Sequence, residues 1–329
     1  MQASLLIIWF VSGCTMVLLA GLPLGVEAQL AVAMTAIAAM AAIKFLNLRG
    51  PWRAVFLGLG TFVILRYVFW RLTSTVPSFH SPVDFAAGMV LVAAELYCVT
   101  MMFLSLFTVA DPIDRPRAPQ LAHDDLPTVD VFIPSYNESI EIVAPTLAAA
   151  KRLIYPAEKL NVFLLDDGGT EQKICSDDPV VASRAANRRR DMQALCVELG
   201  VRYLTRDENS HAKAGNLNNG LAHSDGDIVV VFDADHVPAR EFLTETVGFF
   251  HTDEKLFLVQ TPHFFLNPDP IEKNIAALGL PAENEMFYGL VQKGLDKWNA
   301  AFFCGSAALL RRAALEQVGG FQGLSLIHI

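Results

Sequence analysis

Hydrophobic positions along this chain follow two regimes. Over the first 110 residues they run in long blocks, at 4–22, 28–46, 53–72 and 84–109. Each block is close to the ~20 apolar residues needed to cross ~30 Å of hydrocarbon, which predicts four transmembrane helices in residues 1–110. The first block has no basic segment ahead of it, and three similar blocks follow, so it reads as a span and not as a cleaved leader. Residues 111–128 break the pattern with Pro112, Pro116, Pro119 and Pro127 set among charges, the composition of a linker or extended strap. Beyond it, short β-branched runs at 129–134, 160–166, 201–205, 228–233, 256–260 and 302–306 predict strands. Amphipathic stretches at 141–153, 180–199, 213–222 and 240–250 predict helices between them. This alternation predicts an α/β domain over 129–322 with a mostly parallel, Rossmann-like sheet covered by helices on both faces. A further amphipathic stretch, 283–298, carries Met286, Phe287, Leu290, Val291, Leu295 and Trp298. It suits a helix lying at a membrane interface or one facing a core.

Charge sharpens the division. The chain is 53% hydrophobic and 18% charged, with a mean hydropathy of +0.38, too apolar for an ordinary soluble domain. Residues 1–110 hold five basic and three acidic side chains, and the remainder 20 and 31. That remainder is therefore net acidic, which argues against nucleic acid as a partner. An anionic substrate there needs a metal or a few placed cations. Lys44, Arg49 and Arg53 flank the second connection and place it in the cytoplasm. Four spans then leave both the N-terminus and residue 110 on that side, with Arg71 a minor exception. Arg66 and Glu95 fall nearer span interiors, where they either meet polar partners in the bundle or snorkel. Five cysteines, Cys14, Cys98, Cys175, Cys196 and Cys304, form no C-x-x-C pair. They describe neither a disulfide framework nor a zinc site and fit a reducing compartment.

Candidate chemistry gathers at strand ends. The run 228–233 closes on Asp233-Ala234-Asp235-His236. On a strand, carboxylates at i and i+2 share a face and repel unless a cation lies between them. All-oxygen donors suit Mg²⁺, or Mn²⁺, with water and a substrate phosphate completing the shell. A turn or helix cap after a strand has the same sequence appearance. The strand 129–134 is followed by Ser135-Tyr136-Asn137-Glu138, in which Tyr136 suits base stacking and the whole suits a capping turn. The strand 160–166 closes on Asp166-Asp167-Gly168-Gly169. Asp166 can accept hydrogen bonds from a base or ribose and the glycines permit close backbone approach; an Asp-Gly turn is the plain alternative. Lys213, in His211-Ala212-Lys213-Ala214-Gly215-Asn216, sits where a helix start would offer charge to a diphosphate, or is simply solvated. All four motifs fall on the same edge of one sheet, the edge where open α/β sheets bind ligands.

Taken in order, Pro-Ser-Tyr-Asn-Glu (134–138), Asp-Asp-Gly-Gly (166–169), His-Ala-Lys-Ala-Gly-Asn (211–216), Asp-Ala-Asp-His (233–236), Gln-Thr-Pro-His-Phe-Phe (260–265) and Phe-Phe-Cys-Gly-Ser-Ala (302–307) resemble the catalytic subunits of bacterial cellulose synthases. Those are processive, inverting family-2 glycosyltransferases. The D-x-D element is widespread among glycosyltransferases, whereas the last two motifs are far more specific. The resemblance spans nearly the whole chain, to about Phe321. It implies a GT-A fold behind a membrane bundle, in a bacterial inner membrane with the catalytic domain cytoplasmic. It also implies UDP-glucose as donor and transfer of glucose to the non-reducing end of a growing β-1,4-glucan, which is then moved across the bilayer. Tyr136, Glu138 and Asp166 are then expected to hold uridine. Asp233 and Asp235 are expected to bind Mg²⁺ and through it the diphosphate, with Lys213 assisting. Gln260, Thr261, Pro262, His263, Phe303, Cys304, Gly305 and Ser306 are expected at the acceptor and channel entry. The family also implies a periplasmic partner subunit and cyclic di-GMP bound through a C-terminal PilZ domain. Residues 323–329 depart from the family. The Thr-Glu-Asp motif that holds the family's general base is not seen, so the expectation is UDP binding without polymer synthesis. The competing expectations are a synthase of another β-linked polymer from another UDP-sugar, and a non-catalytic UDP-binding membrane protein.

Overall fold

The computed structural model describes residues 2–79, 81–267, 270–275 and 284–323. The chain divides into two compact units, one formed by the chain up to Ile113 with Lys293–Asn299, the other by Asp114–Gln292 and the chain from Ala300 onward.

The first unit is built on α1 (Gln2–Ala20), α2 (Val26–Phe45), α3 (Pro51–Ser74) and α4 (Pro82–Thr108), one for each apolar block. Helices α2, α3 and α4 are long and apolar enough to cross a membrane. In α1 the apolar run among the fully described residues, Phe10–Ala20, is shorter. Proline sits in the first turn of α3 and of α4, where its missing N–H costs nothing. Arg66 is buried in α3 and donates to Gln29 Oε1 (2.8 Å) and to the Leu19 carbonyl (3.0 Å), near the end of α1. It therefore adds a donor at the C-terminal carbonyls of α1 and does not snorkel. Glu95 pairs with Arg71 and accepts from the Tyr67 hydroxyl at 3.2 Å, tying α4 to α3.

The second unit carries β1 (Val129–Ser135), α5 (Ile140–Lys151), β2 (Leu160–Asp166), α6 (Glu171–Ile174), α7 (Pro179–Leu199), β3 (Arg202–Leu204), α8 (Ala212–Ala222), β4 (Ile228–Val231), α9 (Gly248–Thr252), β5 (Leu258–Gln260) and α10 (Pro270–Ile275). After the π-helical turn Phe287–Val291 come α11 (Gln292–Lys297), β6 (Ala308–Arg311) and α12 (Arg312–Gln317). From Lys293 to Lys297, α11 belongs to the first unit. There Trp298 stacks on Phe107 at 4.6 Å, Lys297 pairs with Asp111 at 3.0 Å, and a Cβ on Gly294 would lie 2.1 Å from the Thr108 carbonyl oxygen. The amphipathic stretch expected over 283–298 is thus helical from 285 to 297; Glu283 lies outside the described residues.

One six-stranded sheet runs in the order β3-β2-β1-β4-β6-β5. Strands β1 to β4 pair in parallel, and β6 lies antiparallel between β4 and β5. Both faces are covered, which is why β1, β2 and β4 read as continuous apolar runs. One face packs Val131, Ile133 and Leu164 with Leu147 and Met192. The other packs Phe132, Phe163 and Leu165 with Leu217 and Leu315. Each such side chain, fully buried, is worth about 1.5–3 kcal/mol. Asp130, buried inside β1, is the polar exception; it accepts from Arg312 (2.9 Å), Asn161 (2.9 Å) and the Gly226 N–H (2.6 Å).

Three expected elements move. The last strand forms at 308–311 and not at 302–306, because Gly305 (φ +89°) and Ala307 (φ +50°) take the left-handed side of backbone space. The expected helix at 240–250 is a series of turns that becomes α-helical only in α9; Thr244 and Thr246 donate to carbonyls of that same segment and compete with a regular ladder. Strand β4 ends at Val231, so Asp233 and Asp235 stand on a turn closed by the His236 N–H on the Asp233 carbonyl (2.9 Å) and not on one face of a strand.

Candidate functional site

A cleft of about 520 Å³ opens at the C-terminal edge of β1, β2 and β4, and Tyr136, Glu138, Lys213, Asp233 and Asp235 line it together with Asp167 and Asn216. Five of the six residues expected to hold donor and metal therefore meet in one place. The sixth, Asp166, does not line it. Asp166 is fully buried beneath the cleft and accepts from Arg188 Nε (3.0 Å), the Gly168 N–H (3.0 Å) and the Tyr203 hydroxyl (2.8 Å). Its neighbour Asp167 faces the cleft instead. The reason is the pleat: the last strand residue points inward, and the next points out.

Glu138 organises the turn after β1. One of its oxygens accepts from the Ser135 hydroxyl (2.9 Å) and from the N–H groups of Tyr136 (2.6 Å) and Asn137 (3.1 Å). Burial pushes its carboxyl upward, but the N–H groups of Tyr136 and Glu138, the Ser135 hydroxyl and the Asn137 N–H outweigh it, and the group lies below the ordinary glutamate range. The turn leaves Tyr136 partly exposed, with the Lys173 ammonium 3.5 Å from its ring centroid. An electron-rich, half-open ring of this kind suits a nucleobase.

Two arginines brace this floor. Arg188, from α7, reaches Asp166, the Glu138 carbonyl and the Ser135 hydroxyl (2.7 Å), so one guanidinium joins the ends of β1 and β2. Arg206 grips both oxygens of Asp167 at 2.7 Å. Neither was singled out from sequence. Arg188 lies in a run of three arginines on the polar side of an amphipathic helix, which reads as a solvated face, and Arg206 stands outside every motif.

The Asp233-x-Asp235 turn faces Lys213, whose ammonium pairs with Asp233 and donates to the Gly305 carbonyl at 2.8 Å. The Asp235 side chain is 71% exposed, with His236 Nε2 3.8 Å away. Among the described residues no cluster of three or more His, Cys, Asp or Glu side chains forms a metal site by itself. Two carboxylates on an open cleft, one of them already holding a cationic ammonium, fit a hard divalent cation that takes its other ligands from water and a substrate phosphate.

The residues expected at the acceptor side are joined to this turn, because β6 runs antiparallel and starts beside the end of β4. Ser306 Oγ accepts from the Asp233 N–H (2.8 Å) and lies 2.7 Å from His236 Nδ1. Gln260 accepts from the Cys304 N–H (2.9 Å) and donates to the Ser306 carbonyl (2.9 Å). His263 meets that same carbonyl at 2.9 Å and Tyr288 at 2.9 Å; burial lowers its pKa. The Thr261 hydroxyl donates to the Ala307 carbonyl at 2.8 Å. Phe303 turns away into the core toward Phe321, and among the described residues no polar contact involves Pro262.

Comparison with known proteins agrees with this geometry. Residues 130–319 match the glycosyl transferase family 2 profile. The chain is 42% identical over 318 residues to the cellulose synthase catalytic subunit (UDP-forming) of Xanthomonas axonopodis pv. citri, covering 95% of this chain and 40% of that protein. It is 47% identical over 258 residues to the Pseudomonas fluorescens subunit of the same name, covering 78% and 32%. The chain thus spans well under half the length of these relatives. Among solved structures, a Pyrobaculum calidifontis mannosyltransferase in complex with GDP-mannose and Mn²⁺ overlaps with a TM-score of 0.45 at 24% identity, over 71% of this chain and 58% of that one. The described sheet, the D-x-D turn at its edge and the family match over more than half of the chain agree: this is a GT-A-type α/β domain that follows apolar helices in the chain, and the chain belongs to glycosyl transferase family 2.

Proposed function

We propose that the cleft binds UDP-glucose for a cellulose-synthase-type reaction, in which glucose passes with inversion to the non-reducing end of a β-1,4-glucan and the product crosses the bacterial inner membrane. The observation that carries this reading is the Lys213 ammonium held between Asp233 and the Gly305 carbonyl, at the junction of the nucleotide turn and the loop from the acceptor side. Tyr136 stacks on the base, and Asp167 borders the nucleotide while Asp166 fixes the strand end beneath it. Lys213 and the D-x-D pair face the diphosphate. Asp233 and Asp235 would hold Mg²⁺ or Mn²⁺, and that cation would supply charge neutralisation for the departing UDP. Lys213 adds a second positive charge on the same oxygens.

Deprotonating the acceptor hydroxyl takes a carboxylate with an open oxygen and contributes about 10²–10⁴-fold to rate. Glu138 has three donors on one oxygen and a lowered pKa, which make it a weak base, and Asp167 is held at both oxygens by Arg206. Asp233 and Asp235 belong to the metal. None of these four suits the role, so the base is a further residue. The loop 303–306 and the Gln260–His263 segment border the acceptor end, because their hydrogen bonds fasten them to the D-x-D turn.

Calorimetric titration of the purified chain with UDP, in Mg²⁺ and in EDTA, tests the donor site. Tighter binding with Mg²⁺, lost in Asp235→Asn, is expected; equal affinity in both buffers refutes the metal assignment. Competition by UDP-glucose against UDP-N-acetylglucosamine and UDP-galactose tests the sugar.

A further inference from the structure

The Lys213 contact is made from a backbone that ordinary residues avoid. His211 (φ +59°) and Ala212 (φ +45°) both sit on the left-handed side immediately ahead of Lys213. Neither is glycine, and each such residue is strained unless its surroundings hold it there. A single side chain supplies much of that hold, beside the Gly215 N–H on the His211 carbonyl (3.1 Å). Arg206 donates to the Ser210 carbonyl (2.6 Å), the Ala212 carbonyl (2.9 Å) and Asn209 Oδ1 (2.8 Å), so it closes the turn from both ends. Its other hydrogen bonds go to both oxygens of Asp167. Asp167 is itself nearly buried at the end of β2 and anchors the guanidinium to the sheet. Gly215 fits the same arrangement: a Cβ there would lie 2.0 Å from the Ser210 carbonyl oxygen and 2.5 Å from Arg206 Nη1.

We propose that Arg206 is the positioning residue for Lys213. It holds the left-handed turn 211–212 against Asp167 and so aims the start of α8 and its lysine at the diphosphate side of the cleft. The proposal rests on the donor-site reading above. Arg206 is not itself a phosphate ligand, because its nitrogens are already engaged by Asp167 and the turn. A lysine cannot replace it. One ammonium has three donors on a single atom and cannot span a bidentate carboxylate and two carbonyls.

The test is a coupling measurement on the full chain in detergent, with Mg²⁺ fixed and UDP and uridine as ligands. Lys213→Ala should weaken UDP about tenfold, the scale of one charge-assisted hydrogen bond, and leave uridine unchanged. Arg206→Lys, which keeps the charge, should lower UDP affinity by a similar factor with uridine little changed, and in a Lys213→Ala background it should cost nothing further. Arg206→Ala should behave in the same way. A role in general stability would instead weaken uridine along with UDP and would persist without Lys213. The proposal is overturned if Arg206→Lys binds UDP like the wild type, or if its loss is undiminished in the double variant. Wild-type protein that binds no UDP overturns the donor-site reading itself, and the proposal with it. Wild-type and Lys213→Ala results as expected, with no coupling to Arg206, overturn the positioning role alone.

Discussion

Removing Arg188 should unfasten the nucleotide side of the cleft, and the cost can be worked from its contacts. Asp166 is fully buried, and of its three donors only Arg188 is charged; the Gly168 N–H and Tyr203 hydroxyl are neutral. Both partners are well shielded, at 15% and 0% side-chain exposure, so solvent screens the pair little. Arg188→Met keeps length and bulk but strands a buried carboxylate, which typically costs about 3–5 kcal/mol. For a domain of 150–250 residues that is a drop of roughly 6–20 °C in Tm. The same substitution releases the Ser135 hydroxyl and the Glu138 carbonyl, so UDP affinity should fall as well. Scanning calorimetry in detergent reads the first effect and UDP titration the second. The double variant Arg188→Met/Asp166→Asn should be more stable than Arg188→Met, because it removes the uncompensated charge. If Arg188→Met melts within about 2 °C of the wild type, or the double variant is the less stable of the two, the pair is not the brace described here.

Glu138 has a lowered pKa, so its stabilising contribution is complete above its unfolded value, about 4.3, and is lost as pH falls through the lower folded value. The Tm difference between wild type and Glu138→Gln should therefore be constant near neutrality and shrink on acidification; a difference that grows toward acid pH contradicts the sign. Gly168→Ala should destabilise by about 1–3 kcal/mol, the usual range for overpacking, because its Cβ would lie 2.2 Å from the Tyr136 carbonyl oxygen and 2.1 Å from Arg188 Nε. Denaturant unfolding measures it, and an unchanged midpoint refutes the close approach. For the membrane part, a cysteine introduced at Ser78 should react with an impermeant reagent in intact spheroplasts and one at Gly50 should not, with Cys14 and Cys98 replaced beforehand. The reverse pattern would put the α/β domain on the wrong side for a cytoplasmic donor.

Sequence pattern located β1, β2 and β4 closely, because both faces of these strands are buried and each is an unbroken apolar run ending in polar residues. It misplaced β6 because Phe302, Phe303 and Cys304 look like a strand, while their extended pairing is interrupted by Gly305 and Ala307 and replaced by hydrogen bonds with Gln260, which accepts from the Cys304 N–H and donates to the Ser306 carbonyl. Those bonds join residues 44 and 46 positions apart, a separation that carries no local signal. The choice between Asp166 and Asp167 was likewise not legible. The two are adjacent and chemically identical, and the outcome follows from where β2 ends.

The residues missed altogether share one property. Arg188 and Arg206 act on carboxylates 22 and 39 positions earlier in the chain, and each lies in a segment whose composition looks solvated. The physical need for them was nevertheless visible in the charge balance. A net-acidic domain that brings Glu138, Asp166, Asp167, Asp233 and Asp235 to one sheet edge cannot hold five carboxylates together without cations. The structure meets that need in two layers. Two permanently charged arginines neutralise the buried pair from behind, Arg206 bidentate on Asp167 and Arg188 through Nε on Asp166. The single flexible ammonium of Lys213 is kept for the partly exposed Asp233 at the cleft. A guanidinium fixed in place suits a frame, whereas a lysine can leave one carboxylate oxygen for the proposed divalent cation and diphosphate. On this argument the exchangeable cation had to be a lysine, and the position of Lys213 at the start of α8 follows from the brace beneath it.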